Sequence, residues 1–171
     1  MLSIKKTCAL TTLVLLITGQ LSADGLQPDR RNTIAPALKL NDLSGRTHQL
    51  TQYRGQVVLV NFWATWCPPC RAEMPSIWRL KQKLKDKPFQ VVTVNMGENR
   101  ETITAFLPER MQRDFVSLMD SDTASMEDWK VTALPATYLI DREGRIAYSV
   151  YGAVEWDQAT PVDRVNRLLG D

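Results

Sequence analysis

Residues 57–70 read Val57-Val58-Leu59-Val60-Asn61-Phe62-Trp63-Ala64-Thr65-Trp66-Cys67-Pro68-Pro69-Cys70. The first seven are apolar except for Asn61 and rich in valine, the pattern of a strand buried on both faces. Beyond Cys70, the residues Met74, Ile77, Trp78, Leu80 and Leu84 recur at helical spacing, with Lys and Arg filling the opposite face. Residues 89–94 (FQVVTV) form a second buried-strand pattern. The two cysteines therefore stand where a strand hands over to a helix, inside a β-α-β unit.

Working outward, residues 38–41 and 47–50 flank Asp42-Leu43-Ser44-Gly45, a hairpin pattern. Ile103, Phe106, Leu107 and Met111 predict a second amphipathic helix, and residues 115–119 a short strand. Ser121 or Asp122 is expected to cap a third short helix that runs to Trp129. Residues 137–140 and 146–150 pair across Asp141-Arg142-Glu143-Gly144, a turn with Asp first and Gly last. Val162, Val165, Leu168 and Leu169 mark a closing helix. Strand-helix alternation ending in a hairpin and a helix predicts an α/β fold, a mixed central sheet flanked by helices. Trp156 is expected to cap that sheet, and His48 to be a surface residue of the first hairpin.

With 171 residues, 44% hydrophobic and 23% charged, the chain holds one globular domain and is neither disordered nor polytopic. Its net charge of +2 comes from Lys5 and Lys6. Those lysines open a short cationic start, followed by a mostly apolar run over 8–17 and by Leu21-Ser22-Ala23. This is the order of a secretory signal, so residues 1–23 are expected to be an export address and 24–35 a flexible lead before a domain over 36–171. The apolar run is shorter than the ~20 residues of a spanning helix, which disfavours an uncleaved anchor. Without residues 1–23 the chain is neutral, with no bulk electrostatic reason to bind nucleic acid or an anionic membrane.

Removing Cys8 with the signal leaves Cys67 and Cys70 in a compartment where thiols oxidise. The loop between them is too small for the bond to constrain the unfolded chain much, so a structural staple is a poor explanation. Zinc would need two more Cys or His ligands, and only His48 remains, so no metal and no cofactor is expected. Redox chemistry is the better reading. A helix N-terminus stabilises a thiolate, so Cys67 is placed to attack a disulfide and Cys70, one turn on, to resolve the mixed disulfide.

The stretch from Asn61 to Pro75 resembles the active-site region of thioredoxin-fold proteins, and more narrowly the exported TlpA/ResA-like thiol-disulfide oxidoreductases. Ala133-Leu134-Pro135-Ala136-Thr137-Tyr138-Leu139-Ile140-Asp141 resembles the family's second hallmark, the cis-proline segment. The resemblance spans roughly residues 35–169, and it implies a thioredoxin-like fold with an N-terminal hairpin and an inserted helix-strand segment between Val94 and Pro135. It further implies that Pro135 faces the cysteines in the cis form, where the residues alone allow a trans proline opening a strand. By the same likeness Leu134 would pair with an extended substrate, Trp66 would flank the substrate groove, and Pro75 would bend the first helix.

One departure from thioredoxins is Asn61, which stands where they carry a buried Asp. Glu73, one turn beyond Cys70, matches an acidic residue that serves as proton acceptor in the TlpA/ResA-like proteins; read alone, it is equally a solvated helix residue. Pro68 and Pro69 supply no N–H groups to the Cys67 thiolate, which predicts a reductant; the resemblance implies that its targets are disulfides of other exported proteins, for example in cytochrome c maturation. A membrane thiol donor would keep this monomer reduced. Two alternatives remain, a Cu(I) metallochaperone using the same cysteines and a peroxiredoxin-like peroxidase; the latter would carry Thr where Ala64 stands.

Overall fold

The computed structural model describes residues 25–170; the expected export signal lies outside them. In chain order the elements are β1 (Gln27–Pro28), β2 (Lys39–Asp42), β3 (Thr47–Gln49), β4 (Val57–Trp63), α1 (Pro68–Lys83) and β5 (Phe89–Met96). Then follow α2 (Arg100–Phe106), α3 (Glu109–Asp114), β6 (Val116–Asp120), α4 (Ser125–Asp128), β7 (Ala136–Ile140), β8 (Ile146–Tyr151) and α5 (Ala159–Leu169). The strands form one mixed sheet in the order β1-β8-β7-β4-β5-β6-β2-β3. At its centre β4 runs parallel to β5 and antiparallel to β7.

Every residue of β4 is buried because both faces of the sheet are covered. Val57, Leu59 and Trp63 pack with Ile77 and Leu80 of α1, Ile103 of α2, Met111 of α3 and Val165 of α5. Val58, Val60 and Phe62 point the other way, into a cluster with Trp129 and Tyr138. The period-2 alternation thus separates two cores, and the C-terminal ends of β4 and β5 emerge beside the N-terminus of α1.

Four expectations are corrected. The single helix predicted through Ile103 and Met111 is two, α2 and α3, because Pro108 excludes Leu107 from helical backbone; Leu107 sits at φ −74°, ψ 123°. α4 is not capped by Ser121 or Asp122. Instead the Asp120 carboxylate accepts hydrogen bonds from the Ser125 N–H (3.1 Å) and the Ser125 hydroxyl. His48 does lie in the first hairpin, but it is half-buried rather than on the surface, its ring bridging the Tyr53 hydroxyl at 2.7 Å and Asp42 at 2.9 Å. The stretch expected to be a flexible lead is zipped along β8: Gln27 pairs with Ser149, Ile34 bridges Arg145, and Leu26 is buried.

Candidate active site

β4 ends at Trp63, and Ala64-Thr65-Trp66 turn the chain so that Cys67 becomes the N-cap of α1, at φ −92°, ψ 103°. Cys67 and Cys70 form a disulfide, and the Cys70 N–H points at the Cys67 Sγ, 3.3 Å away. Pro68 and Pro69 open the helix at no cost in hydrogen bonds, because the first N–H groups have no intrahelical partner. They also leave Cys67 with few donors. Pro75 lies inside α1, where it removes a further backbone donor. Cys67 is 4% exposed at the helix tip, while Cys70 is fully buried behind it.

The Leu134-Pro135 peptide is cis. Trp66, Cys67, Pro69, Met96, Met126 and Leu134 line an apolar groove of about 510 Å³. Trp66 is 67% exposed, a large aromatic left in water at the rim of the reactive bond. Cys67, Trp66 and Leu134 therefore share one groove, with Cys70 buried behind it.

Glu73 belongs to the layer beneath. It is 1% exposed. Its Oε1 accepts from Asn61 Nδ2 (2.7 Å), and its Oε2 accepts from the Val154 N–H (3.2 Å) and Trp156 Nε1 (3.3 Å). Burial pushes its pKa up to about 7; the three hydrogen bonds oppose that shift, and the nearby Glu155 charge adds to it. A carboxyl that is half ionised near neutrality, three residues beyond Cys70, can take up or release a proton at the pH of the reaction.

Two contributors escaped the sequence reading. Trp156 is fully buried, and its indole N–H meets Glu73 rather than merely closing the sheet; a buried indole needs an acceptor, which was the available signal. Glu98 accepts from the Thr65 N–H at 2.8 Å, from the Thr65 hydroxyl and from Asn95 Nδ2 at 2.7 Å. It ties the loop before Cys67 to the end of β5. Gly97 at φ 78° makes the tight turn that brings Glu98 back onto that loop, and only the turn hints at it in the sequence.

Against known proteins, the Redoxin family model matches residues 30–169. The chain belongs to the Redoxin family. The thiol-disulfide oxidoreductase ResA of Geobacillus thermodenitrificans is 37% identical over 120 residues, covering 70% of this chain and 68% of the relative. ResA of Bacillus subtilis is 32% identical over 120 residues, 70% of this chain and 66% of that protein. Among solved structures, the thioredoxin domain of a Bacteroides vulgatus thiol-disulfide oxidoreductase superposes with TM-score 0.68 at 26% identity, covering 81% of this chain and 96% of that one. This Redoxin-family chain is a thiol-disulfide oxidoreductase of thioredoxin fold, and the Cys67–Cys70 pair is at disulfide distance.

Proposed function

We propose that the protein is exported and reduces disulfides of other exported proteins, with oxidised apocytochrome c as the type of substrate. The observation that supports this reading best is the placement of the cysteines: Cys67 at a helix tip on the floor of an apolar groove, Cys70 buried behind it. In the reduced protein the Cys67 thiolate attacks one sulfur of the substrate disulfide, forming a mixed disulfide and releasing the other sulfur as a thiolate. Cys70 gives its proton to the Glu73 carboxylate and attacks the Cys67 Sγ. The second substrate thiolate leaves, the Cys67–Cys70 disulfide forms, and two electrons have passed to the substrate.

Trp66 and Leu134 hold the substrate segment in the groove, and Pro135 keeps the Leu134 backbone facing it. The direction rests on Pro68 and Pro69, which leave the Cys67 thiolate poorly stabilised and the dithiol correspondingly reducing. A membrane thiol donor would restore the dithiol, and the chain works as a monomer. The test uses a peptide carrying the disulfide-bonded Cys-x-x-Cys-His of an apocytochrome. Reduced protein should convert it to the dithiol in equal amount, and Cys70→Ser should accumulate a mixed disulfide through Cys67. An unreduced peptide, or adduct formation by Cys67→Ser instead, contradicts the proposal.

A further inference from the structure

We infer that Asn61 is a two-position switch, its carboxamide donating to Glu73 when that carboxyl is ionised and turning over to accept from it when it is protonated. This rests on the reading of Glu73 as proton acceptor and goes one step further, to the group that lets a buried carboxyl change state. Oε2 of Glu73 faces a backbone N–H and an indole N–H, from Val154 and Trp156. Neither can accept a hydrogen bond. A proton on Glu73 therefore has to sit on Oε1, whose partner is Asn61.

In the observed arrangement Asn61 Nδ2 donates twice, to Glu73 Oε1 at 2.7 Å and to Thr137 Oγ1 at 2.9 Å. Its Oδ1 is buried and has no hydrogen-bond partner among the described residues. That arrangement serves the carboxylate. Turning the carboxamide by half a revolution brings Oδ1 to both neighbours. It then accepts from the Glu73 O–H and from the Thr137 hydroxyl, which can donate as readily as accept. Glu73 Oε1 is thus hydrogen-bonded in both proton states without movement of the backbone; the turned NH2 takes the buried place of Oδ1, where the described residues offer no acceptor, so the turned state is the costlier one and is adopted only when Glu73 is protonated. Asp or Leu at position 61 could not do this, since a carboxylate only accepts and a hydrocarbon does neither. Asn61 is a positioning residue: it acts through Glu73, and its side-chain hydrogen bonds among the described residues go to Glu73 and Thr137.

The other groups facing Glu73 are few. β4 contributes the neutral Asn61, and the segment before α5 contributes the Val154 N–H, the Trp156 indole and the Glu155 charge; Cys70, three residues before Glu73 on α1, is held in the disulfide and does not titrate. The oxidised protein is therefore the simpler one to titrate.

The experiment is an NMR titration of the full oxidised chain from pH 5 to 9, following the Glu73 carboxyl carbon and the cross-peak between the Asn61 side-chain NH2 and Thr137. The cross-peak is expected at pH 9 and should vanish on the low-pH side with the midpoint of Glu73. Glu73→Gln sharpens the test, because Oε1 of the new amide is held by Val154 and Trp156, so its NH2 faces Asn61 as a protonated Glu73 would. The variant should lack the cross-peak at every pH. Should Glu73 titrate while the cross-peak persists, or Glu73→Gln retain it, the switch is wrong and the proton role of Glu73 stands. A carboxyl carbon that never titrates overturns both.

Discussion

At the scale of the residue, the proposed chemistry rests on three side chains. Cys67 is reachable, Cys70 is sealed, and Glu73 holds a proton that a solvent-exposed glutamate would have lost at neutral pH. Raising a carboxyl from an ordinary 4.5 to about 7 also has a consequence for stability. Between those values the folded protein binds a proton that the unfolded chain does not, so stability is greatest below pH 4.5 and falls as pH rises to 7. At 1.36 kcal/mol per unit, Glu73 removes about 3 kcal/mol across that window. Urea unfolding at pH 5 and pH 8 should show the wild type losing about that much relative to Glu73→Gln; parallel losses would refute the assignment. In turnover, Glu73→Gln should slow resolution of the mixed disulfide near pH 7 by about 10²-fold, read by the lifetime of the adduct in stopped-flow. The sequence carried both cysteines and Glu73 plainly. It did not carry Trp156 or Val154 as partners, because their contact with Glu73 spans eighty residues and depends on how the segment before α5 folds over α1.

Among the elements, the end of one strand controls the mouth of another. Glu98, just beyond β5, fixes Thr65 with two hydrogen bonds and so sets the loop that presents Trp66 and Cys67. Glu98→Ala should destabilise the fold by about 1–3 kcal/mol through the donors left unpaired, and should lower kcat/KM for a disulfide peptide while Glu98→Gln, which keeps an acceptor, retains most of it. Equal losses in both variants would mean that charge, not positioning, is at work. The first two turns of α1 matter differently. Replacing Pro69 by His puts a cation beside the Cys67 thiolate, and equilibration with glutathione should then show a potential higher by ~30 mV or more. An unchanged potential would remove the argument from thiolate stabilisation. Periodicity found the central strands and α1 because their apolar residues obey one spacing over many turns. It merged α2 with α3, since Pro108 interrupts a pattern whose apolar residues continue on either side of the break.

Across the whole molecule, one sheet separates two cores and leaves its reactive end open, and the N-terminal stretch belongs to that architecture. Leu26 is buried beside Val150, and residues 27–34 cover the edge of β8. Leu26→Ala should cost about 2–5 kcal/mol in chemical denaturation, whereas a free lead would cost nothing. That role was invisible in the sequence: Gln27 and Pro28 have no strand propensity, and an edge strand is specified by its neighbour more than by itself. The mixed character of the central sheet, by contrast, was legible in the β-α-β unit and the closing hairpin, whereas the order of its strands was not read from the sequence. The proposed function requires that this fold hold a reducing dithiol. The most direct test is the reduction potential of Cys67–Cys70 in the full chain, measured by equilibration with glutathione or dithiothreitol. The prediction is a value of ~−250 mV or lower, near that of thioredoxin. A value near ~−150 mV would make the protein an oxidant or isomerase and contradict the account.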